Sequence, residues 1–225
     1  MTEQTGQTRQ AGRTWKRALG TAAVTGAVLT MTVAPAGAVT ASPAPAPAPV
    51  SAAAVTASAA ADVDYDTWQK DCQAVMDQAL PYLKQRIASP RPGEKQAIVL
   101  DIDNTALETD FGFSFPQPAN EPVLEVAEYA QERGVALFFV TARPGIIHAP
   151  TAYNLDRAGY ESSGLYVRGF LDLFKNVADY KTAQRVAIES KGYTIIANIG
   201  NSPTDLSGGH AEKTFKLPDY DGQLS

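Results

Sequence analysis

Two carboxylates, Asp101 and Asp103, follow directly on the apolar run Ile98-Val99-Leu100, with Asn104 and Thr105 behind them. A continuous apolar run is what a parallel strand buried on both faces requires, and ligands in such sheets bind beyond the carboxyl ends of the strands. The two acids therefore stand where a strand opens into a crevice. An aspartate that is ionised at mildly acidic pH attacks an electrophile without a base to activate it. A second acid two residues further on can give and take a proton. Carboxylates spaced i, i+2 on one backbone are also a natural start for a Mg²⁺ site. The bland reading of the pair is a helix cap or a structural Ca²⁺ site, and the other strand ends bear on that choice.

Two further apolar runs end in reactive-looking residues. Phe138-Phe139-Val140 passes into Thr141-Ala142-Arg143, and Ile195-Ile196-Ala197-Asn198-Ile199 passes into Gly200-Asn201-Ser202-Pro203-Thr204-Asp205. In a parallel sheet these ends share one rim, so the groups can converge. Lys181 lies near the start of the helix before the third run and can reach the same rim; Lys175, in a more aromatic stretch, is its rival. The set suits phosphoryl transfer. Asp101 would attack phosphorus, and Asp103 would protonate the departing alcohol and then take a proton from the water that cleaves the acyl phosphate. The Thr141 hydroxyl and nearby amides, that of Ala142 among them, would hold phosphoryl oxygens, with Lys181 and Mg²⁺ neutralising charge. Mg²⁺ would rest on Asp101, the Asp103 carbonyl and the loop carrying Asn201 and Asp205.

The elements that must position these groups are legible in the periodicity. Trp68, Cys72, Val75, Met76, Leu80, Leu83 and Ile87 recur at helical spacing over residues 65–87, where Pro81 is expected to kink or split the helix. Strands are expected at 96–100, 135–140, 165–167 and 194–199, with a weaker one at 214–217. Helices are expected from Pro122 to Glu132, from Pro150 or Thr151 to Ala158, and over 180–190. Residues 106–120 are irregular, with Phe111, Phe113 and Phe115 placed either to clamp a leaving group or to pack over the sheet. Strands alternating with helices predict an α/β fold: a three-layer, Rossmann-like arrangement around a central parallel sheet. No glycine-rich nucleotide loop follows any strand.

The chain has 225 residues, and its start has the layout of an exported protein. Arg9, Arg13, Lys16 and Arg17 precede an uncharged stretch from Leu19 to Val33, and Ala36-Gly37-Ala38 fits a small-x-small cleavage site. Residues 1–38 are therefore expected to be a secretory signal peptide, the uncharged run being short of the roughly 20 residues that span a bilayer. Residues 39–62, rich in Ala and alternating Pro, read as an extended linker, and 63–225 as one domain. Loss of four bases and one acid with the signal peptide takes the net charge from −5 to −8. An acidic domain without a basic run is a poor binder of nucleic acid or anionic membrane. Cys72 is the single cysteine, so no intrachain disulfide forms, and its apolar neighbours at helical spacing place it in the core.

The motifs resemble those of the haloacid dehalogenase (HAD) superfamily: Asp101-Ile102-Asp103-Asn104-Thr105, Val140-Thr141-Ala142-Arg143, Lys181, and Gly200-Asn201-Ser202-Pro203-Thr204-Asp205, in that order. More narrowly the chain is similar to the secreted class B-like acid phosphatases, through Phe138 to Pro144, Thr151-x-x-Asn154-Leu155, Asp179-Tyr180-Lys181 and Lys216-Leu217-Pro218. The resemblance implies an exported Mg²⁺-dependent phosphomonoesterase with a covalent phospho-aspartate on Asp101 and Asp103 as general acid/base. Metal ligands would be Asp101, Asp103, Asn201 and Asp205, and the substrate a small phosphomonoester. The short interval between the first two motifs implies a minimal cap and an open site. One departure stands out: the family usually carries aspartate where this chain has Asn201, and an amide oxygen brings no charge to a cation.

Several alternatives stay open in the sequence. Thr141 is a phosphate contact or a strand-end turn residue, and Arg143 binds phosphate or pairs with an acid. Neither His148 nor His210 sits in Arg-His-Gly, so phosphohistidine chemistry is disfavoured, and no arginine follows Cys72 at phosphate-loop spacing. The competing function is a weak or inactive phosphate-binding or storage protein on the same fold, favoured only by Asn201. Phosphonate or carbon–halogen cleavage is a third and weaker option.

Overall fold

A computed structural model describes residues 63–224. The expected signal peptide (1–38) and the expected linker (39–62) lie outside the described residues. The elements run α1 (Tyr65–Ile87), β1 (Lys95–Leu100), α2 (Glu121–Gln131), β2 (Ala136–Pro144), α3 (His148–Arg157), β3 (Gly164–Arg168), α4 (Val177–Glu189), β4 (Tyr193–Gly200), α5 (Pro203–Leu206) and β5 (Thr214–Lys216). Short 3₁₀ turns at Gly145–Ile147 and Phe170–Phe174 join β2 to α3 and follow β3.

The five strands form one parallel sheet in the order β3-β2-β1-β4-β5. The chain winds outward from β1 through β2 to β3, then crosses back to β4, so the winding reverses between β1 and β4. That reversal opens a crevice at the carboxyl ends of the strands. Alternate residues of the strands feed two cores. Ile98, Leu100, Leu137 and Phe139 pack with Trp68, Met76 and Leu83 of α1 and Val123 and Val126 of α2. Ala97, Val99, Phe138 and Val140 pack with Tyr180 and Ile188 of α4 on the other face. This is the expected three-layer α/β fold. Only residues 101–120 separate β1 from α2, tied down by isolated bridges between Asp103 and Leu107 and between Leu107 and Ala119. No further domain is inserted there.

Four local departures from the sequence expectations have clear causes. Helix α1 runs unbroken through Pro81. The proline faces solvent, and Met76 before it and Leu83 after it are anchored in the same core. Helix α4 starts before Tyr180 because the Asn176 side chain caps it, accepting from the Ala178 amide at 2.8 Å. Strand β2 continues past Val140 to Pro144 after a shift in its register with β3. Ser202-Pro203-Thr204-Asp205, read as loop, opens the short helix α5, where the Asp205 carboxylate turns back to the Ser202 amide at 2.8 Å.

Candidate active site

Each group of the candidate site is fixed by the backbone that carries it. The Asp101 amide donates to the Ile199 carbonyl at 3.0 Å, which prolongs the β1–β4 ladder one residue beyond β1. The chain then turns sharply: Asn104 has φ +50°. Its side chain steadies the turn by donating to Asp110 Oδ2 at 2.7 Å and accepting from the Asp110 amide at 3.1 Å. Asp101 and Asp103 therefore leave the strand end toward different partners.

Asp101, Lys181 and Asp205 form a buried triad. Lys181 Nζ lies 2.6 Å from Asp101 Oδ1 and 2.5 Å from Asp205 Oδ1, with all three side chains at most 6% exposed. Burial alone would lower the Lys181 pKa, but the carboxylates of Asp101 and Asp205 more than offset it and hold the ammonium charged. Burial raises Asp101 above the ordinary carboxylate range; Lys181 pulls it back, and Asp205 and Asp103 push it up. Behind the triad, buried Arg185 donates to the Asp205 carbonyl at 2.7 Å, and Asn198 Nδ2 donates to the same oxygen at 2.9 Å. Lys175, the rival of Lys181, is exposed and paired with Asp172 at 2.7 Å.

Asp103 belongs to a second cluster. Arg143 Nε is 3.1 Å from both of its oxygens and Nη2 is 2.7 Å from Oδ1. The Thr109 hydroxyl donates to the same Oδ1 at 2.9 Å. Gln117 Oε1 accepts from Arg143 Nη2 at 2.9 Å. Of the two sequence readings of Arg143, the structure shows the pairing with an acid.

A cleft of about 340 Å³ opens between the clusters, lined by Asp103, Ala142, Lys181, Asn201 and Asp205, with Asn104, Thr109 and Asp110 at its wall. Asp101 and Thr141 do not line this cleft and are buried. The Thr141 hydroxyl accepts from the Arg143 amide at 3.1 Å. A second cleft of about 440 Å³ meets Asp103 from the other side, walled by Arg143, Gln117, Phe115, Ile147 and Pro150. The aromatic residues of 106–120 separate accordingly. Phe111 stacks on Trp68, with ring centres 4.4 Å apart, whereas Phe115 lies at this second cleft and stacks on Tyr153.

The donors available to a cation are hard oxygens: the carboxylates of Asp101 and Asp205, the Asn201 amide oxygen and the Asp103 carbonyl. That chemistry fits Mg²⁺. No three His, Cys, Asp or Glu side chains converge as a metal cluster among the described residues. Lys181 pairs with Asp101 and Asp205, Arg143 pairs with the Asp103 carboxylate, and position 201 is an amide. Cys72 is buried as expected, and burial pushes its thiol up to about 12. No helix among the described residues is long and apolar enough to cross a membrane.

The sequence assigned no role to Gly200, Thr109, Gln117 or Arg185. Gly200 carried a signal, because a glycine between a strand and an acid-bearing turn marks close backbone approach. A Cβ there would overlap the Asp205 side chain. Thr109 and Gln117 sit in irregular chain where no periodicity marks a partner.

Comparisons with known proteins bear on the family and the fold. The family model described as HAD superfamily, subfamily IIIB (acid phosphatase) matches residues 29–117 and 114–223. The chain is 28% identical over 177 residues to the stem 28 kDa glycoprotein of Glycine max, covering 68% of each. It is 31% identical over 103 residues to acid phosphatase 1 of Solanum lycopersicum, covering 45% of this chain and 40% of that one. Among solved structures, the class C acid phosphatase from Bacillus anthracis superposes with a TM-score of 0.56 at 17% identity, over 70% of this chain and 80% of that one. That likeness shows the fold, and the family match spans both the sheet and the candidate site. The chain belongs to the HAD superfamily, subfamily IIIB, the acid phosphatases.

Proposed function

We propose that the protein is an exported phosphomonoesterase that works through a phospho-aspartate on Asp101, with Asp103 as general acid and base. The observation that carries this reading is the separation of the two aspartates. One is buried against an ammonium, and the other is half-exposed between two clefts and gripped by Arg143. Asp101 thus meets the phosphoryl group beside a charged lysine, while Asp103 stays within reach of a leaving group and of water.

In the proposed reaction the phosphoryl group enters the cleft lined by Lys181 and Ala142. Asp101 forms the bond to phosphorus, while Lys181, held charged, shares its protons between the carboxylates and the phosphoryl oxygens. The alcohol leaves on the Asp103 side, where the second cleft gives it apolar room against Phe115, Ile147 and Pro150. Asp103 gives it a proton and then takes one from the water that opens the acyl phosphate. Enzymes of this superfamily generally use a divalent metal. Asp101, the Asp103 carbonyl, Asn201 and Asp205 would hold Mg²⁺, which when bound neutralises phosphoryl charge. The substrate class is small phosphomonoesters, in keeping with an open site. Export rests on the layout of residues 1–38.

The test is hydrolysis of p-nitrophenyl phosphate by the full chain across mildly acidic pH, with Mg²⁺ or with EDTA, beside Asp101→Asn. Turnover that needs the metal and is abolished by the substitution supports the proposal. A folded protein without turnover at any Mg²⁺ concentration favours the phosphate-binding alternative.

A further inference from the structure

Position 201 is where this chain departs from its family's usual aspartate, and the structure gives the amide there a partner that a carboxylate could not have. Asn201 Nδ2 donates to the Leu224 carbonyl at 2.5 Å, and both residues are buried. Its backbone amide donates to the Thr105 hydroxyl at 3.1 Å, and that hydroxyl lies 3.4 Å from Asn201 Oδ1. An ionised carboxylate accepts only, so an aspartate would set one of its oxygens against the Leu224 carbonyl with no proton between them.

Other contacts seat the same segment. Leu217 and Leu224 are buried in the core beneath α1. The Leu217 amide donates to the Gly200 carbonyl at 2.9 Å, and the Tyr220 hydroxyl donates to Asp71 Oδ2 on α1 at 2.7 Å. Between them Tyr220 and Asp221 have φ +48° and +56°, followed by Gly222 at +83°. Consecutive left-handed residues that are not glycine persist only where the surroundings over-determine them. The turn closes on itself through bonds from the Gly222 and Leu224 amides to the Asp219 carbonyl.

We infer that Asn201 is a positioning residue: its amide latches residues 217–224 to the turn that carries Asp205, a bond that an ionised aspartate could not donate. The segment braces the 200–205 turn against α1. Its seating and the cation affinity of the Asn201 oxygen are therefore coupled, because one planar amide serves both sides.

Hydrogen exchange followed by mass spectrometry on the full chain in EDTA tests the latch, with no metal or substrate involved. Failure here is thus distinct from failure of the phosphatase reading. Asn201→Asp should speed exchange over residues 217–224 and 200–205 by roughly 10-fold, the effect of losing one buried hydrogen bond, with β1 and β2 unchanged. Tyr220→Phe, which touches no part of the site, should speed the same two segments, and it carries the test if Asn201→Asp does not fold. Calorimetric titration of Tyr220→Phe with Mg²⁺ reads the coupling. It should bind several-fold more weakly while turnover at saturating Mg²⁺ stays unchanged, a split that a purely structural role would not give. Unchanged protection of 217–224 in Asn201→Asp overturns the latch. Unchanged Mg²⁺ affinity in a Tyr220→Phe protein whose segment has loosened overturns the coupling.

Discussion

The Asp103 carboxylate is gripped by the Arg143 guanidinium, with Nε 3.1 Å from both oxygens and Nη2 2.7 Å from one of them. Since Gln117 also accepts from Arg143, the pair is anchored to the irregular segment before α2, and the acid is held at the junction of the two clefts. An acid aimed at a leaving group matters most where that group departs poorly. Arg143→Ala is expected to lower kcat/KM for an alkyl phosphate by about 10²-fold, in the range of general-acid effects, and for p-nitrophenyl phosphate much less. Equal losses for both substrates would show that Arg143 acts on the phosphoryl group and not through Asp103.

Lys181 lies between Asp101 and Asp205 in a nearly dry setting. Lys181→Met leaves two carboxylates buried side by side without their counter-charge. Removing one partner of a buried ionic cluster costs about 3–5 kcal/mol, so urea unfolding of the metal-free variant should report a loss of that order, along with loss of turnover. A loss within about 0.5 kcal/mol, as at an exposed site, would contradict the buried triad.

Gly200→Ala tests how closely β4 approaches the α5 turn. The new methyl group would overlap the Asp205 side chain, which must then leave Lys181. Turnover should fall at least about 10-fold, the expected cost of displacing a positioned group by an ångström or so. Unchanged kinetics would mean that Asp205 need not be held where it is.

Much of this was legible in the sequence because it depends on period and on strand ends. The apolar runs at 98–100, 138–140 and 195–199 specify buried parallel strands, and the residues that end them necessarily share a rim. The sequence favoured Lys181 over Lys175, although both flank a helix start. Six residues place one lysine against Asp101 and the other in solvent beside Asp172. The partners of Arg143 and Asn201 were hidden. Asp103 and Leu224 lie 40 and 23 residues away, and only the folded chain brings them together. Pro81 does not split α1, because the core contacts on either side of it hold the helix together.

Acid stability has a separate source. Glu94 accepts from Arg86 at 2.5 Å, and Arg86 also binds Glu212 at 2.7 Å, joining α1 to β1 and to the loop before β5. The Arg86 hydrogen bond, opposed by burial and helped by the Arg91 amide, holds Glu94 down at about 2, from 4.5. A lowered carboxylate stabilises the fold above its unfolded pKa, and that contribution is lost as pH falls from 4.5 toward 2. Thermal midpoints of Glu94→Gln should therefore decline less steeply than those of the wild type across this window. Parallel declines would remove Glu94 from the account.

The central claim is a covalent bond from Asp101 to phosphorus. The direct measurement is acid quenching of the enzyme during turnover of a phosphomonoester, reduction with borohydride, and peptide mass spectrometry. An aspartyl phosphate is reduced to homoserine, so homoserine at position 101, absent without substrate, is the predicted result. An enzyme that turns over while Asp101 remains unmodified, or that places the homoserine at position 103 or 205, would contradict the account.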